Sequence, residues 1–262
     1  MPFDIDDHSL RVIFGASLVL ILGAGEAGHW LGVRAARQGA AAVSTLEGAI
    51  LGLLALMIGF TFSMALSRYE ARRDGAVTEA AAIGTTALRA RLLPAPHDRE
   101  SVKLLREYVQ IRLDLARGPV SREIFDQAIA RSNLLQEALW RQAQAVAAKD
   151  NGMVPTGLFI QSLNEMIDDQ EKRLAAMSNR LPLIVIAALY AMSIMGIGFA
   201  GYGSGVESKR SRVPVLVTGL LVAGMVLLIQ DIDRPGAGFI RVSQQPLANA
   251  ASTIDAFPAA RP

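Results

Sequence analysis

The sequence predicts an all-α integral membrane protein with four transmembrane helices in two hairpins, and a long extramembrane helical bundle between spans 2 and 3. Three observations predict it. Four apolar runs each approach the ~20 helical residues that a hydrocarbon core needs. The segment between the second and third runs keeps a helical spacing of apolar residues but is rich in charge, and nothing in it looks like a parallel-sheet strand. Finally, 52% of the 262 residues are hydrophobic and only 19% are charged, with a mean hydropathy of +0.33, more apolar than a domain surrounded by water tolerates.

The four runs are Val12 to Leu31, Gly48 to Leu66, Leu183 to Tyr202 and Val213 to Ile229. The acidic start, MPFDIDDHSL, differs from the basic start of a cleaved export signal, so the first run reads as a retained span. Arg34 and Arg37 lie in the joint between spans 1 and 2, and GSGVESKRSR joins spans 3 and 4. Small residues recur every four positions, as Ala24, Gly28 and Gly32 in the first span, Ala55, Gly59 and Ser63 in the second, and Gly196 and Ala200 in the third. Such faces let helix backbones approach closely in lipid; glycine is also simply common in membrane helices. The expected organisation is a first hairpin over 1-67, a water-exposed bundle over 68-181 continuous with spans 2 and 3, a second hairpin over 182-230, and a turn-rich tail over 231-262.

Beyond Leu66 the helical pattern continues, with Tyr69, Ala76, Ala80, Ile83 and Ala87 along one face, so span 2 is expected to leave the bilayer as one rod. Pro94 and Pro96 break it. Asp98 is placed to cap the next helix, striped by Val102, Leu105, Val109 and Ala116 and ended by Gly118 and Pro119; Ser121 is placed to cap a third, striped by Phe125, Ala128, Leu135, Leu139 and Val146 and closed at Asp150, Asn151 and Gly152. A fourth starts near Pro155, with a heptad-like seam of Leu163, Ile167, Gln170, Leu174, Met177 and Leu181, and enters span 3 through a kink at Pro182. The seam reads as the core of an antiparallel bundle or, alternatively, as a coiled coil between subunits.

For sidedness, Arg11, Arg68, Arg72, Arg73, Lys172, Arg173, Arg180, Arg234 and Arg241 flank the spans on the bundle side, against Arg34, Arg37, Lys209, Arg210 and Arg212 on the other. Nine against five favours a cytoplasmic bundle, although the short loops are denser in positive charge. With a net charge of +2 and acids interleaved among the bases, no stripe for nucleic acid stands out.

The chemistry-bearing candidates are few. Glu26 and His29 lie one turn apart on span 1, and ionisable groups in lipid usually face a cavity or a partner; the plainer reading is an interfacial pair, with Glu26 reaching Arg34. Glu47, at the start of span 2, would come near their level and make an acidic ring if several subunits surround a pore, or simply complement the helix dipole. In the tail, Asp231, Asp233, Arg234, Pro235 and Gly238 promise an ordered turn, with Phe239, Ile240 and Val242 docking back. His8, His29 and His97 show no metal-ligand spacing. There are no cysteines, and no phosphate loop, nucleophile elbow or zinc-protease motif is present, so neither enzyme chemistry nor a metal or other cofactor is expected. Gly23, Gly25 and Gly28 imitate a dinucleotide fingerprint, with Glu47 about 20 residues on. The βαβ frame which that fingerprint needs is missing, so a nucleotide-binding enzyme is the remote alternative.

The blocks GLLALMIGFTFSMALSRYEARRD, EAAAIGTTALRARLLP and DIDRPGAGFIRVSQQPL together resemble the bacterial bestrophin-like membrane proteins, a likeness running from Glu26 to Leu247. The resemblance implies a distant kinship with bestrophins, which are pentameric anion channels with cytoplasmic helical domains. It implies a homo-oligomeric pore in a bacterial inner membrane, with the lipid bilayer and ions as partners and no nucleic acid. The phenylalanine-lined neck and acidic calcium clasp of animal bestrophins are missing from this sequence. The expected function is therefore an oligomeric channel or pore, and the alternative is a non-conducting scaffold or signalling protein that binds a partner through its helical domain.

Overall fold

The computed structural model describes residues 10–40, 44–116, 121–207, 211–235 and 238–257. Among these residues there is helix and no strand. The helices are α1 (Leu10–Ala36), α2 (Ser44–Ala90), α3 (His97–Ala116), α4 (Arg122–Ala147), α5 (Leu158–Ser178), α6 (Leu183–Val206), α7 (Val213–Asp233) and α8 (Gln245–Asp255). Four stretches are long and apolar enough to cross a membrane, carried by α1, α2, α6 and α7. The chain forms two compact units, one of Met1–Arg68 with Arg180–Ile240, the other of Tyr69–Asn179 with Arg241–Pro262.

In the first unit, α1 packs on α6 and α7, which also pack on each other. Glycine decides the first of these contacts. A Cβ added to Gly28 would lie 2.0 Å from the carbonyl oxygen of Gly198, one on Gly32 would lie 2.2 Å from that of Tyr202, and one on Gly201 would lie 2.1 Å from that of Gly25. Backbone therefore rests on backbone, and no side chain larger than hydrogen fits at these positions. Residue numbers rise together along the contact, from Gly25 against Gly201 to Gly32 against Gly205, so α1 and α6 run parallel. Alpha-7 runs antiparallel to α1, with Leu22 beside Gly219 and Glu26 bonded to Arg212. Alpha-2 seats Ile50, Leu51 and Leu54 around Gly196 of α6.

This pairing differs from two packed hairpins. Spans 1 and 2 follow each other in sequence, yet the principal packing partners of α1 are α6 and α7. The reason is complementarity of small faces: α6 presents Gly198, Gly201 and Gly205 where α1 presents Gly25, Gly28 and Gly32. After α1 the chain turns at Gly39, whose φ of 79° is a conformation that costs glycine least.

The second unit is built from the C-terminal half of α2, α3, α4, α5 and α8 around a core that includes Ala80, Ile83, Ala87, Leu105, Tyr108, Val109, Leu139, Phe159, Leu163, Met166, Leu247 and Ile254. The helix from Ser44 continues to Ala90 without a break, as the periodicity after Leu66 leads one to expect. Ser121 caps α4, its hydroxyl accepting the backbone N–H of Ile124.

Several expectations need correction. His97 begins α3, so Asp98 is a first-turn acid and not the cap. Alpha-5 buries Phe159, Ser162, Leu163, Met166, Gln170 and Arg173; Leu163 and Gln170 of the expected seam lie on this face and Ile167 packs half-buried against the core, while Leu174 and Met177 are half-buried beside it and Arg173 turns inward to an ion pair. Helix is interrupted from Asn179 to Pro182, so span 3 is not continuous with α5; proline lacks an N–H, and Leu181 donates its own to the carboxylate of Asp233 at 3.0 and 3.1 Å. The tail is not turn-rich throughout, since Gln245–Asp255 is a helix whose Leu247, Ala250, Ala251 and Ile254 are buried. Gly118 and Pro119 lie outside the described residues.

Gly28→Ala is expected to destabilise the protein by about 1–3 kcal/mol or more, the usual range for overpacking. Gly59→Ala should be tolerated by the isolated chain, because a Cβ there meets no neighbour within 4 Å. Thermal unfolding in detergent checks both; equal effects would contradict the packing described.

Candidate functional site

The membrane-spanning half of α2 has three sectors, which follow from ~100° of rotation per residue. Glu47, Ile50, Leu54, Thr61 and Ala65 are buried and form the packed sector. Leu53, Leu56, Phe60 and Met64 are exposed and form a bulky apolar one. The third contains Gly48, Gly52, Ala55, Gly59 and Ser63, all exposed. Cβ atoms placed on its glycines meet nothing within 4 Å. Thus Ala55, Gly59 and Ser63 face away from the rest of the chain, whereas Gly28 and Gly32 are buried against α6 and Ala24 is half-buried beside it.

Several polar groups in the other spans are bonded across helices. His29 Nδ1 lies 2.8 Å from Ser204 Oγ of α6, and Glu26 accepts from Arg212 at 3.5 Å. Arg34, the sequence candidate for Glu26, instead stacks over Trp30, 5.8 Å from the ring centre. Glu26, His29, Ser204 and Arg212 line a cavity of about 10 Å³ with Leu22, Gly25, Ile197, Val215 and Leu216, room for about one water. Glu47 is not among its lining residues; it is buried in the first turn of α2. A second bridge ties three spans: Ser17 on α1 is hydrogen-bonded to the Tyr190 hydroxyl on α6, which also accepts from Gln230 of α7 at 2.8 Å. Gly23, Gly25 and Gly28 sit within helix α1, which is already helical from Leu10, where the fingerprint needs a strand, so the dinucleotide reading fails on the fold.

The segment after α7 docks through backbone. The Asp231 carboxylate accepts the N–H groups of Phe239 and Ile240 at 2.7 and 3.0 Å, and a Cβ on Gly238 would lie 2.5 Å from one of its oxygens. Asp233 takes Leu181 as described, and Arg234 and Pro235 follow the helix end, buried and half-buried. Phe239 is 78% exposed, so the expected docking of its ring is not what orders the tail; two accepted N–H groups are.

The second unit holds a polar centre that sequence reading missed. Glu79 on α2 is fully buried and receives Arg112 Nε of α3 at 2.6 Å and Arg173 of α5. Arg173 also donates to Gln244 at 2.9 Å. Tyr108 donates to Gln170 at 2.8 Å, Gln170 donates to Asn133 at 3.0 Å, and Gln136 reaches the Tyr108 hydroxyl at 3.5 Å. Gln170, the polar interruption in the heptad-like seam, is thus the signal that could have found it. Burial, then the Glu79 charge, push the Tyr108 phenol well above its ordinary value of 10.0. Among the described residues no His, Cys, Asp and Glu cluster could hold a metal ion.

A family described as Bestrophin-like domain matches residues 17–247. The chain belongs to the bestrophin-like family. No curated protein matches it. Among solved structures, this bestrophin-like chain is similar to a bacterial bestrophin homologue from Klebsiella pneumoniae carrying a tryptophan-to-alanine mutation, with TM-score 0.68, 15% identity, and coverage of 95% of this chain and 96% of that one. The structure of the Klebsiella homologue phased on zinc gives TM-score 0.64 at 15% identity over 92% and 94% of the two chains. A tyrosine-to-alanine variant gives 0.66 at 14%, over 91% and 96%. At such identity the likeness establishes the fold.

Two outcomes test this bestrophin-like geometry. Glu79→Ala leaves two buried guanidiniums without their carboxylate and should cost about 3–5 kcal/mol, seen as a fall in thermal midpoint; a change within error would mean that the centre is not buried as described. Tyr108 keeps its proton in the folded state above pH 10, where an unfolded phenol releases it, so its contribution is intact below that pH and is lost progressively above it. In a spectrophotometric titration, Tyr108→Phe should remove one late-titrating phenol; an unchanged curve would contradict its burial beside Glu79.

Proposed function

We propose that this protein is an ion channel or pore in a bacterial inner membrane, formed by a homo-oligomer in which the small-residue sector of α2 lines the conduction path. The observation that carries this reading is the three-sector division of α2. A helix that met only its own chain and lipid would need two sectors, one packed and one bulky. The additional strip of Gly48, Gly52, Ala55, Gly59 and Ser63 offers lipid little dispersion contact, but it gives a path lined by backbone and a hydroxyl. A path within one chain is disfavoured, because α1 and α6 meet backbone to backbone and the cavity beside Glu26 and His29 has room for about one water.

In this reading Glu26 and His29 are positioning residues, since each is bonded to another span of the same chain. Glu47 sets the packed sector at the mouth of α2. The excess of basic residues beside the second unit supports a cytoplasmic location for that unit. The family likeness to bestrophins supports conduction, and the ion is left to measurement. A second reading, a membrane scaffold that binds a protein partner, draws on Ile124, Leu134, Met153 and Val154, which the second unit exposes at 54–73%.

Flux through purified protein in liposomes, with the salt varied, separates the two. The channel reading expects selective flux that Gly59→Leu abolishes and Glu26→Ala leaves with unchanged selectivity. No flux in any salt, at either voltage sign, favours the scaffold.

A further inference from the structure

The polar centre of the second unit carries an uncompensated charge. Glu79 contributes one negative charge, while Arg112 and Arg173, 3% and 5% exposed, contribute two positive ones. The other groups of the network, Gln136, Gln170, Asn133 and Gln244, are uncharged. Tyr108 does not supply the missing charge, because its surroundings hold the phenol in its protonated form. A net positive charge out of reach of water is costly unless something neutralises it. A second observation gives the direction: Nη1 of Arg112 is buried and has no hydrogen-bond partner among the described residues, whereas its Nε is committed to Glu79 at 2.6 Å. One guanidinium thus holds both a satisfied ion-pair arm and an unmatched donor.

We propose that Arg112 binds a small inorganic anion of the chloride class through Nη1, which neutralises the Glu79, Arg112 and Arg173 centre and fixes α3 and α5 on α2. The donor is a charged N–H, which selects an anion. The size follows from burial: Arg112 is 3% exposed and its Nη1 is out of contact with solvent, in a unit whose core buries Tyr108, Val109, Leu139 and Met166 fully, and such an interior accommodates a monatomic ion better than a phosphate. This site is separate from the α2 sector assigned to conduction, and it stands whether or not the protein conducts.

The experiment is thermal unfolding of the full-length protein in detergent, with chloride replacing gluconate at constant ionic strength so that screening is unchanged. A ligand that binds only the folded state raises the midpoint in a saturable way. The expected result is a saturable rise with chloride in the wild type that Arg112→Gln removes. Glu79→Gln, which leaves the centre with two positive charges, should reach saturation at lower chloride. Should Arg112→Gln show no cooperative transition, Glu79→Gln decides, and bromide located by its anomalous scattering within hydrogen-bond distance of Arg112 supports the site independently. An equal midpoint in chloride and gluconate would overturn the proposal. So would a chloride increment that survives Arg112→Gln, a half-saturation unmoved in Glu79→Gln, or bromide bound only elsewhere.

Discussion

The first unit depends on the backbone contact between α1 and α6. In lipid, apolar side chains gain nothing by leaving their surroundings, so helices associate through close packing and cross-helix hydrogen bonds. Gly25, Gly28 and Gly32 against Gly198, Gly201 and Gly205 bring carbonyl groups to positions where a methyl group could not stand. Once these two helices are fixed in parallel, the remaining bonds fall into place: His29 meets Ser204, Ser17 meets Tyr190, and α7 closes the group through Glu26 to Arg212 and Gln230 to Tyr190. Alpha-2 is added on the side of Gly196, and its own small residues remain outside the contact. That division of glycines, one set spent inside the chain and another left facing out, gives the functional reading its basis.

The second unit is held by a different force. There burial of Ile83, Leu105, Leu139, Phe159 and Met166 in one apolar core supplies the drive. Glu79 sets the register, because one carboxylate meets guanidiniums from two helices and Arg173 passes the connection on to Gln244 before α8. Thr86 adds a neutral tie, donating to the carbonyl of Ser162 at 2.9 Å. A buried ionic centre contributes less to net stability than its bond lengths suggest, since desolvation offsets much of the attraction. What the contacts show is that one carboxylate of α2 joins α3 and α5.

Much of this was legible in the sequence for identifiable reasons. Span length is set by bilayer thickness, so the four apolar runs could be read directly. Ser121 and the stripe from Ala76 to Ala87 obey local rules of capping and periodicity, and the family resemblance rested on three separated blocks. What could not be read depends on tertiary choice. Small residues on α1, α2 and α6 looked alike, and nothing local says that α1 takes α6 as its partner while α2 keeps a small face outward. The charges of the polar centre are scattered over Glu79, Arg112 and Arg173, each of which looks like an ordinary surface residue of its own helix. On α5, Leu163 and Gln170 of the expected seam are buried, and the apolar pattern gives no sign that Arg173 joins them. In the tail, Asp231 stands out in the sequence as a charge at a span end, but its role is to accept backbone N–H groups, which apolar patterning does not report.

The central claim is that the exposed small-residue sector of α2 lines a conduction path. The chain has no native cysteine, so single cysteines at 52, 55, 59 and 63 can be compared with others at 53, 56 and 60, using a charged, membrane-impermeant thiol reagent during current recording in planar bilayers. The account predicts rapid modification and block at the first set, with protection at the second by lipid. Modification at 53, 56 and 60 with silence at 52, 55, 59 and 63 would contradict it and place any pore on another face.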